Sequence, residues 1–141
     1  MTCIAYRDGI IAADSMAVID NYVKLSDDIK VAKRKGHLFG MSGNDCPKME
    51  EFTKWFFSEN KEKHPMKTFK FEIIVITPAG IIQQWDQRGR YETLNLPFYS
   101  VGSGKEYAIG AMEVGATAEQ AVLAAIKWCP TVGGKVITRK L

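Results

Sequence analysis

The amino-acid sequence predicts an α+β fold whose sheets are mostly antiparallel. Three observations support this: glycine-containing turns join short β-rich runs into hairpins, one amphipathic helical stretch interrupts the strands, and two alanine-rich helical stretches lie near the end. Strands that follow one another through hairpins, without regular alternation with helices, exclude a Rossmann-type parallel sheet. A length of 141 residues suits one folded unit, so we expect a single domain over 1–141.

Short β-rich runs joined by turn residues dominate the first third of the chain. Residues 2–7 and 10–13 flank Asp8-Gly9, a dipeptide that supplies the positive φ angles of a tight hairpin turn. A second hairpin is predicted over Ile29–Ser42, with its tip at Lys35-Gly36. Later runs of the same kind predict strands at Phe71–Thr77, Ile81–Trp85, Arg90–Leu94, Phe98–Val101 and Lys135–Arg139.

Three segments carry helical signals. From Asn44 to about Asn60, apolar residues recur at spacings of three and four, which predicts a helix packed on the core through one face. Two further helices are predicted over Glu106–Val114 and Ala118–Trp128. The last of these opens with Thr117 as N-cap and a glutamine three residues later, the pattern of a capping box.

Charge and composition argue against several functional classes. The chain has 19 basic and 16 acidic residues, and the densest basic cluster, Lys33-Arg34-Lys35, falls at a predicted hairpin tip where solvated charge is ordinary. We therefore expect no nucleic-acid partner. No stretch approaches the ~18 apolar residues that a membrane helix needs, and the first residues lack the pattern of a targeting signal. We expect no membrane association.

Cysteine and glycine patterns predict neither metal nor cofactor. Cys3, Cys46 and Cys129 form no CxxC pair and have no neighbouring histidine ligands, which favours a reducing, cytoplasmic compartment over a disulfide framework or a zinc site. The glycine-rich loops at 102–104 and 133–134 lack the spacing of nucleotide-binding motifs. We expect a protein that needs no cofactor.

Thr2 is the residue whose position suggests chemistry. Removal of Met1 would leave a hydroxyl nucleophile and a free α-amine on the same residue. An α-amine has a reference pKa of ~7.7–8.0, against ~10.4 for lysine, so it can serve as a base at neutral pH. Other nucleophiles are less suitable, because Cys3 would face away from Thr2 on a strand, and His37 and His64 have no recognisable partner motif.

Four motifs in order resemble the β subunits of proteasomes and the bacterial protease HslV. The opening runs from Thr2 to Ser15 through a hairpin ending in Gly-Ile-Ile-Ala-Ala-Asp-Ser, and Lys30-Val31 follows with Lys30 sixteen residues after Asp14. Gly40-Met41-Ser42-Gly43 and Val101-Gly102-Ser103-Gly104 complete the series. The resemblance covers nearly the whole chain and is greatest to short proteasome-like proteins of bacteria and phages.

The resemblance implies a four-layer αββα sandwich and a set of site residues. Thr2 would be the nucleophile, Lys30 the cation that lowers the pKa of its hydroxyl, and Asp14 the carboxylate that orients Lys30. The backbone N–H of Gly43 would stabilise the oxyanion, and Ser103 would hydrogen-bond near the threonine amine. A plain helix N-cap is the alternative role for Ser103, and a structural ion pair is the alternative for Asp14 and Lys30.

Two departures from the family leave two functions open. The interval from Thr2 to Asp14 is 12 residues, four fewer than usual, an even change that keeps each side chain on its face of the hairpin. The family's second aspartate and serine fall on Cys129 and Val132.

The first function is a threonine hydrolase that cleaves peptide substrates, and the second is a catalytically silent structural or assembly subunit. The resemblance further implies a homo-oligomer, a ring or a dimer, while a regulatory ATPase partner has no support in the sequence.

Overall fold

The computed structural model describes residues 1–19, 23–25, 28–43, 47–59, 71–86 and 88–141. Within these ranges the chain forms strands and three helices. The strands are β1 (Ile4–Arg7), β2 (Ile10–Ala13), β3 (Ala17–Ile19), β4 (Val23–Leu25), β5 (Val31–Arg34), β6 (His37–Ser42), β7 (Glu72–Ile76), β8 (Ile82–Trp85), β9 (Tyr91–Leu94), β10 (Phe98–Val101) and β11 (Ile137–Lys140). The helices are α1 (Pro47–Phe57), α2 (Lys105–Glu113) and α3 (Ala118–Trp128).

The first sheet has the strand order β10-β1-β2-β11, and each pairing is antiparallel. Its central hairpin turns at Asp8 and Gly9, whose φ angles of 50° and 79° are the positive values that this dipeptide predicts. Because β1 is the central partner of β10 and β2, the residue just before it, Cys3, lies deep in the protein. The N-terminal segment therefore enters the fold at a fixed place.

The second sheet has the order β5-β6-β7-β8-β9, again with antiparallel pairing throughout. Strands β3 and β4 form a separate two-stranded hairpin. The first two strands of the second sheet turn at Lys35 and Gly36, as the sequence predicts. The α+β class with mostly antiparallel sheets is confirmed.

Side-chain alternation along the strands builds four layers. Ile4 and Tyr6 of β1 pack between the two sheets, whereas Cys3 and Ala5 face α2 and α3. Small residues such as Ala121 allow the helices to approach the first sheet closely. On the other side, an aromatic cluster joins α1 to the second sheet: Phe39, Phe52, Trp55, Phe71 and Trp85. The αββα sandwich implied by the resemblance is thus present, with helices on both outer faces.

Most predicted elements are present, and the differences have local causes. Helix α3 has the predicted bounds and a complete capping box between Thr117 and Gln120. Strand β11 begins at Ile137, two residues later than predicted, because Ile137 pairs with Ala13 and β2 extends no further. The β3–β4 hairpin was not predicted, since its three-residue strands are too short to show alternation. Residues 44–46 and 60 of the predicted first helix lie outside the described residues.

Among the described residues, the helices are all too short or too polar to cross a membrane.

Candidate active site

A buried ion pair lies where the two sheets meet near the start of the chain. Asp14 directly follows β2 and Lys30 directly precedes β5. The Lys30 Nζ donates to Asp14 Oδ1 at 3.0 Å and Oδ2 at 3.1 Å, and to the Met16 carbonyl at 2.6 Å. The side chains are only 3% and 0% exposed. Such burial is tolerable because each charge is paired and hydrogen-bonded.

Two backbone groups complete the coordination of the Asp14 carboxylate. The Cys3 N–H donates to Oδ1 at 2.9 Å, and the Gly133 N–H donates to Oδ2 at 3.2 Å. The Asp14 carboxylate therefore accepts hydrogen bonds from three segments: the residue before β1, the lysine before β5 and the loop after α3. This arrangement fixes the position of Lys30 relative to the N-terminal residues.

Thr2 is 2% exposed and is linked to this ion pair through the Met1 carbonyl. Its Oγ1 donates to the Met1 carbonyl oxygen at 2.7 Å, and Lys30 Nζ donates to the same oxygen at 3.2 Å. One carbonyl oxygen thus sits between a hydroxyl and an ammonium group. The α-amine of Met1 has a lowered pKa, because partial burial and, next, the nearby charge of Lys30 disfavour its protonated form.

Ser103 approaches Thr2 from the turn before α2. The Thr2 backbone N–H donates to Ser103 Oγ at 3.0 Å, and the Gly104 N–H donates to the Thr2 carbonyl at 3.0 Å. Gly102 has a φ of +96°, and a Cβ there would lie 2.2 Å from the Thr2 carbonyl oxygen. Only glycine fits this approach. The alternative role of Ser103 as helix N-cap is wrong, because Gly104 occupies that position without any side-chain cap.

Gly43 lines a cleft of about 430 Å³ that opens beside Met1 and Ser103. A Cβ at position 43 would lie 2.1 Å from the Phe71 ring, so a side chain could not be added without moving that ring. The structure thus brings Thr2, Asp14, Lys30, Gly43 and Ser103 to one region of the molecule. Their catalytic roles stay predictions, including the oxyanion role of the Gly43 N–H.

Glu72 and Lys105 flank the same cleft and were not predicted from the sequence. Glu72 Oε2 accepts a hydrogen bond from the Gly102 N–H at 2.8 Å, and Oε1 accepts one from Lys105 Nζ at 3.1 Å. The hydrogen bond to Glu72, followed by the charge of that carboxylate, raises the pKa of Lys105. Glu72 thereby connects β7 to the turn that carries Ser103. No sequence pattern links residues so far apart, so this contact required the structure.

Thr131 also reaches the site, one residue before Val132, the position at which the resemblance places the family's second serine. Its Oγ1 lies 3.1 Å from Ser103 Oγ and 3.3 Å from the Sγ of Cys129. Val132 instead packs into the apolar cluster under α2 and α3, where a Cβ on Gly104 would lie 3.1 Å from it. The hydroxyl beside Ser103 therefore comes from residue 131. The sequence alone could not reveal which side chain of this turn faces the site.

The remaining candidates lie elsewhere. Cys3 packs in the cluster facing the helices, and burial raises the pKa of its thiol to about 12, which suits a core residue and not a nucleophile. His37 lies against the rings of Phe56 and Phe57. Cys46 and His64 lie outside the described residues. Within the described ranges, no three His, Cys, Asp or Glu side chains converge as metal ligands would.

Comparison with solved structures identifies the fold. The structure of BPH from Thiobacillus denitrificans in complex with epoxomicin matches with a TM-score of 0.72 and 17% sequence identity, over 99% of this chain and 97% of that one. A second structure of that protein matches equally well. HslV from Trypanosoma brucei matches with a TM-score of 0.73 and 14% identity, over 99% of this chain and 98% of that chain.

No protein-family model matches the chain, and no curated protein matches it in sequence.

Proposed function

Because the chain has the fold of HslV and proteasome β subunits, we propose that it belongs to that family and is a threonine-type peptidase with Thr2 as its N-terminal nucleophile. One observation carries the proposal. The Thr2 hydroxyl and the Lys30 ammonium both donate to the Met1 carbonyl oxygen, so the two groups lie close together. Buried Asp14 holds the ammonium in place. After removal of Met1, a cation held this near the Thr2 hydroxyl would lower the pKa of that hydroxyl and favour its attack on an amide.

The proposed reaction begins with removal of Met1, which exposes the Thr2 α-amine. The Thr2 oxygen then bonds to the substrate carbonyl carbon while its proton passes to the α-amine, a transfer that the Lys30 cation favours by lowering the pKa of the hydroxyl. The N–H of Gly43 is the donor proposed for the oxyanion. Collapse of this intermediate breaks the amide bond, with the proton passing from the amine to the leaving group. Water hydrolyses the remaining ester and restores Thr2.

Ser103 would hold the α-amine during these steps. Its oxygen already lies 3.0 Å from the Thr2 nitrogen, and the Gly104 N–H fixes the Thr2 carbonyl from the same turn. The amine is therefore restrained on two sides, which keeps it within reach of its own hydroxyl. Such restraint lowers the entropic cost of the proton transfer.

The setting of the proposed enzyme follows from the same resemblance. We propose that residues 1–141 form one domain, which agrees with matches that cover 96–98% of the solved chains. We also propose a cytoplasmic homo-oligomer, a ring or a dimer, that acts on peptides, with no cofactor, no nucleic acid and no membrane partner. A regulatory ATPase has no support from the residues described.

A second candidate, a catalytically silent structural subunit, is favoured by one observation. Cys129 and Val132 stand at the positions where the family has an aspartate and a serine, and Val132 is buried among apolar side chains. The Lys30–Asp14 pair would then serve only to hold the two sheets together. Activity measurements separate the two candidates.

The test compares the wild-type protein with Thr2→Ala and Thr2→Ser on short fluorogenic peptides, after intact mass has established that Met1 is absent from the wild type and Thr2→Ser. We expect turnover by the wild type, weaker turnover by Thr2→Ser and none by Thr2→Ala. A matched control, Thr93→Ala, removes an exposed threonine side chain of β9, the edge strand of the second sheet, and should leave turnover unchanged. Processed, folded wild type that never exceeds the Thr2→Ala background would establish the silent subunit instead.

Epoxomicin offers a second measurement, because a solved structure of the T. denitrificans protein is in complex with it. Native mass spectrometry should show the compound bound to processed wild type and absent from Thr2→Ala. Equal binding to both proteins would show that the compound does not report on Thr2 and would count against the assigned site.

A further inference from the structure

We propose that Thr131 is a positioning residue that orients Ser103 against the Thr2 α-amine. The inference rests on the proposed function and assigns a role to a side chain that neither the motifs nor the fold singles out. Four hydrogen-bonding atoms lie in a row beside Thr2. The Thr2 nitrogen lies 3.0 Å from Ser103 Oγ, which lies 3.1 Å from Thr131 Oγ1, which lies 3.3 Å from Cys129 Sγ.

The direction of the first hydrogen bond determines the next. Since the Thr2 N–H donates to Ser103 Oγ, the serine acts there as an acceptor and its own proton needs a different partner. Among the described residues, two oxygens lie within its reach, Thr131 Oγ1 at 3.1 Å and the Thr2 carbonyl at 3.4 Å. The shorter distance favours Thr131. Thr131 in turn has the polarisable sulfur of Cys129 for its proton.

This arrangement has a chemical consequence for the α-amine. With its proton directed to Thr131, Ser103 presents a lone pair to the amine, which stabilises the ammonium formed when the amine takes the proton of the Thr2 hydroxyl. Without Thr131, the serine proton can turn toward the amine nitrogen and compete for the lone pair that acts as the base. The threonine thus acts through Ser103 and does not touch the substrate.

The local structure argues that Thr131 is not simply a turn residue. Within the described residues, both hydrogen-bond partners of its hydroxyl are side chains, those of Ser103 and Cys129. The turn itself is held by the Val132 N–H, which donates to the Cys129 carbonyl at 3.2 Å. Val132 faces the apolar cluster and offers no hydroxyl. The Thr131 hydroxyl is therefore dispensable for the turn but is well placed for the site.

The experiment compares Thr131→Val, which keeps the branched shape and removes the hydroxyl, with Thr131→Ser, which keeps the hydroxyl. The control Thr93→Val makes the same change on the exposed strand β9. Two quantities are measured on processed protein: kcat and KM for a fluorogenic peptide, and the pKa of the Thr2 α-amine from the pH dependence of its acetylation by acetic anhydride, followed by peptide mass analysis.

We expect Thr131→Val to lower kcat by about three- to tenfold, the value of one hydrogen bond, with KM nearly unchanged. It should also lower the pKa of the Thr2 α-amine by about 0.5, while Thr131→Ser and Thr93→Val match the wild type in both quantities. Unchanged kcat and amine pKa in Thr131→Val would overturn the inference. Equal losses in Thr131→Val and Thr131→Ser would also overturn it, because they would indicate packing and not the hydroxyl.

The amine measurement separates this inference from the proposed function. If the processed wild type has no activity but Thr131→Val still lowers the amine pKa, the peptidase proposal fails and the positioning of Ser103 by Thr131 stands. If the wild type is active and the amine pKa is the same in every variant, the positioning role is refuted and the peptidase proposal is unaffected.

Discussion

Replacing Lys30 by methionine tests the buried ion pair, because methionine keeps the length of the side chain and removes its charge. In the wild type, Lys30 Nζ contacts both carboxylate oxygens of Asp14, the Met16 carbonyl and the Met1 carbonyl. The variant leaves the fully buried Asp14 without this cation. Breaking a buried pair from one side costs roughly 3–5 kcal/mol. Asp14 keeps the N–H groups of Cys3 and Gly133, which places the expected loss near the lower limit, about 3 kcal/mol.

The assay is equilibrium unfolding in urea, followed by fluorescence, with Arg34→Met as the matched control. Arg34 and Glu50 form an ion pair at 3.5 Å, but their side chains are 51% and 56% exposed. Surface pairs of this kind contribute about 0–1 kcal/mol, so the control should remain close to the wild type. Peptidase activity should be lost in Lys30→Met and kept in Arg34→Met.

A double variant shows whether the loss arises from an unpaired charge. Adding Asp14→Asn to Lys30→Met removes the buried carboxylate while keeping its shape, so at least half of the lost stability should return. If Lys30→Met costs no more than Arg34→Met, or if the double variant is less stable than the sum of the two single losses, the assignment of a tightly coupled buried pair is refuted.

Two further predictions concern residues around the site. Since burial raises the pKa of the Cys3 thiol to about 12, the unfolded chain ionises first, and Cys3 should make stability fall by up to about 1.4 kcal/mol per pH unit between pH ~8.5 and 12. In urea unfolding from pH 8 to 10.5, the free energy of unfolding of Cys3→Ala should fall less steeply with pH than that of the wild type. Equal slopes for the two proteins would contradict the burial of the thiol. Glu72→Gln should lower kcat by several-fold, because the tether to the Gly102 N–H is weakened, while the loss of its partly exposed pair with Lys105 should cost at most about 1 kcal/mol. Unchanged turnover in Glu72→Gln would show that Glu72 does not support the Ser103 turn.

The sequence predicts those parts of the fold that depend on neighbouring residues. Asp8-Gly9 favours the positive φ angles of its turn through the two residues themselves, and Thr117 with Gln120 caps a helix through contacts three residues apart. The β3–β4 hairpin escaped prediction because three-residue strands carry too little periodicity. Strand β11 begins where its partner β2 allows, which is a property of the sheet and not of the segment.

The same distinction applies to the candidate site. Thr2, Asp14, Lys30, Gly43 and Ser103 could be predicted because ordered motifs resemble a known family. Glu72 and Thr131 could not, since each reaches the site through tertiary packing across many residues of sequence. The side chain that a turn directs toward Ser103 depends on its backbone path, so residue 131 and not residue 132 supplies the hydroxyl.

The proposed mechanism requires that Thr2 forms a covalent ester with the acyl part of its substrate. The most direct measurement is the intact mass of processed protein, quenched in acid within seconds of mixing with excess peptide ester, followed by mapping of the modified peptide. Accumulation of an acyl-enzyme is the kinetic signature of this mechanism. We predict a mass increase equal to one acyl group, located on Thr2 and absent from Thr2→Ala and Lys30→Met. Turnover of the peptide ester with the acyl group on another residue, or with an equal mass increase in Thr2→Ala, would contradict the role of Thr2 as nucleophile.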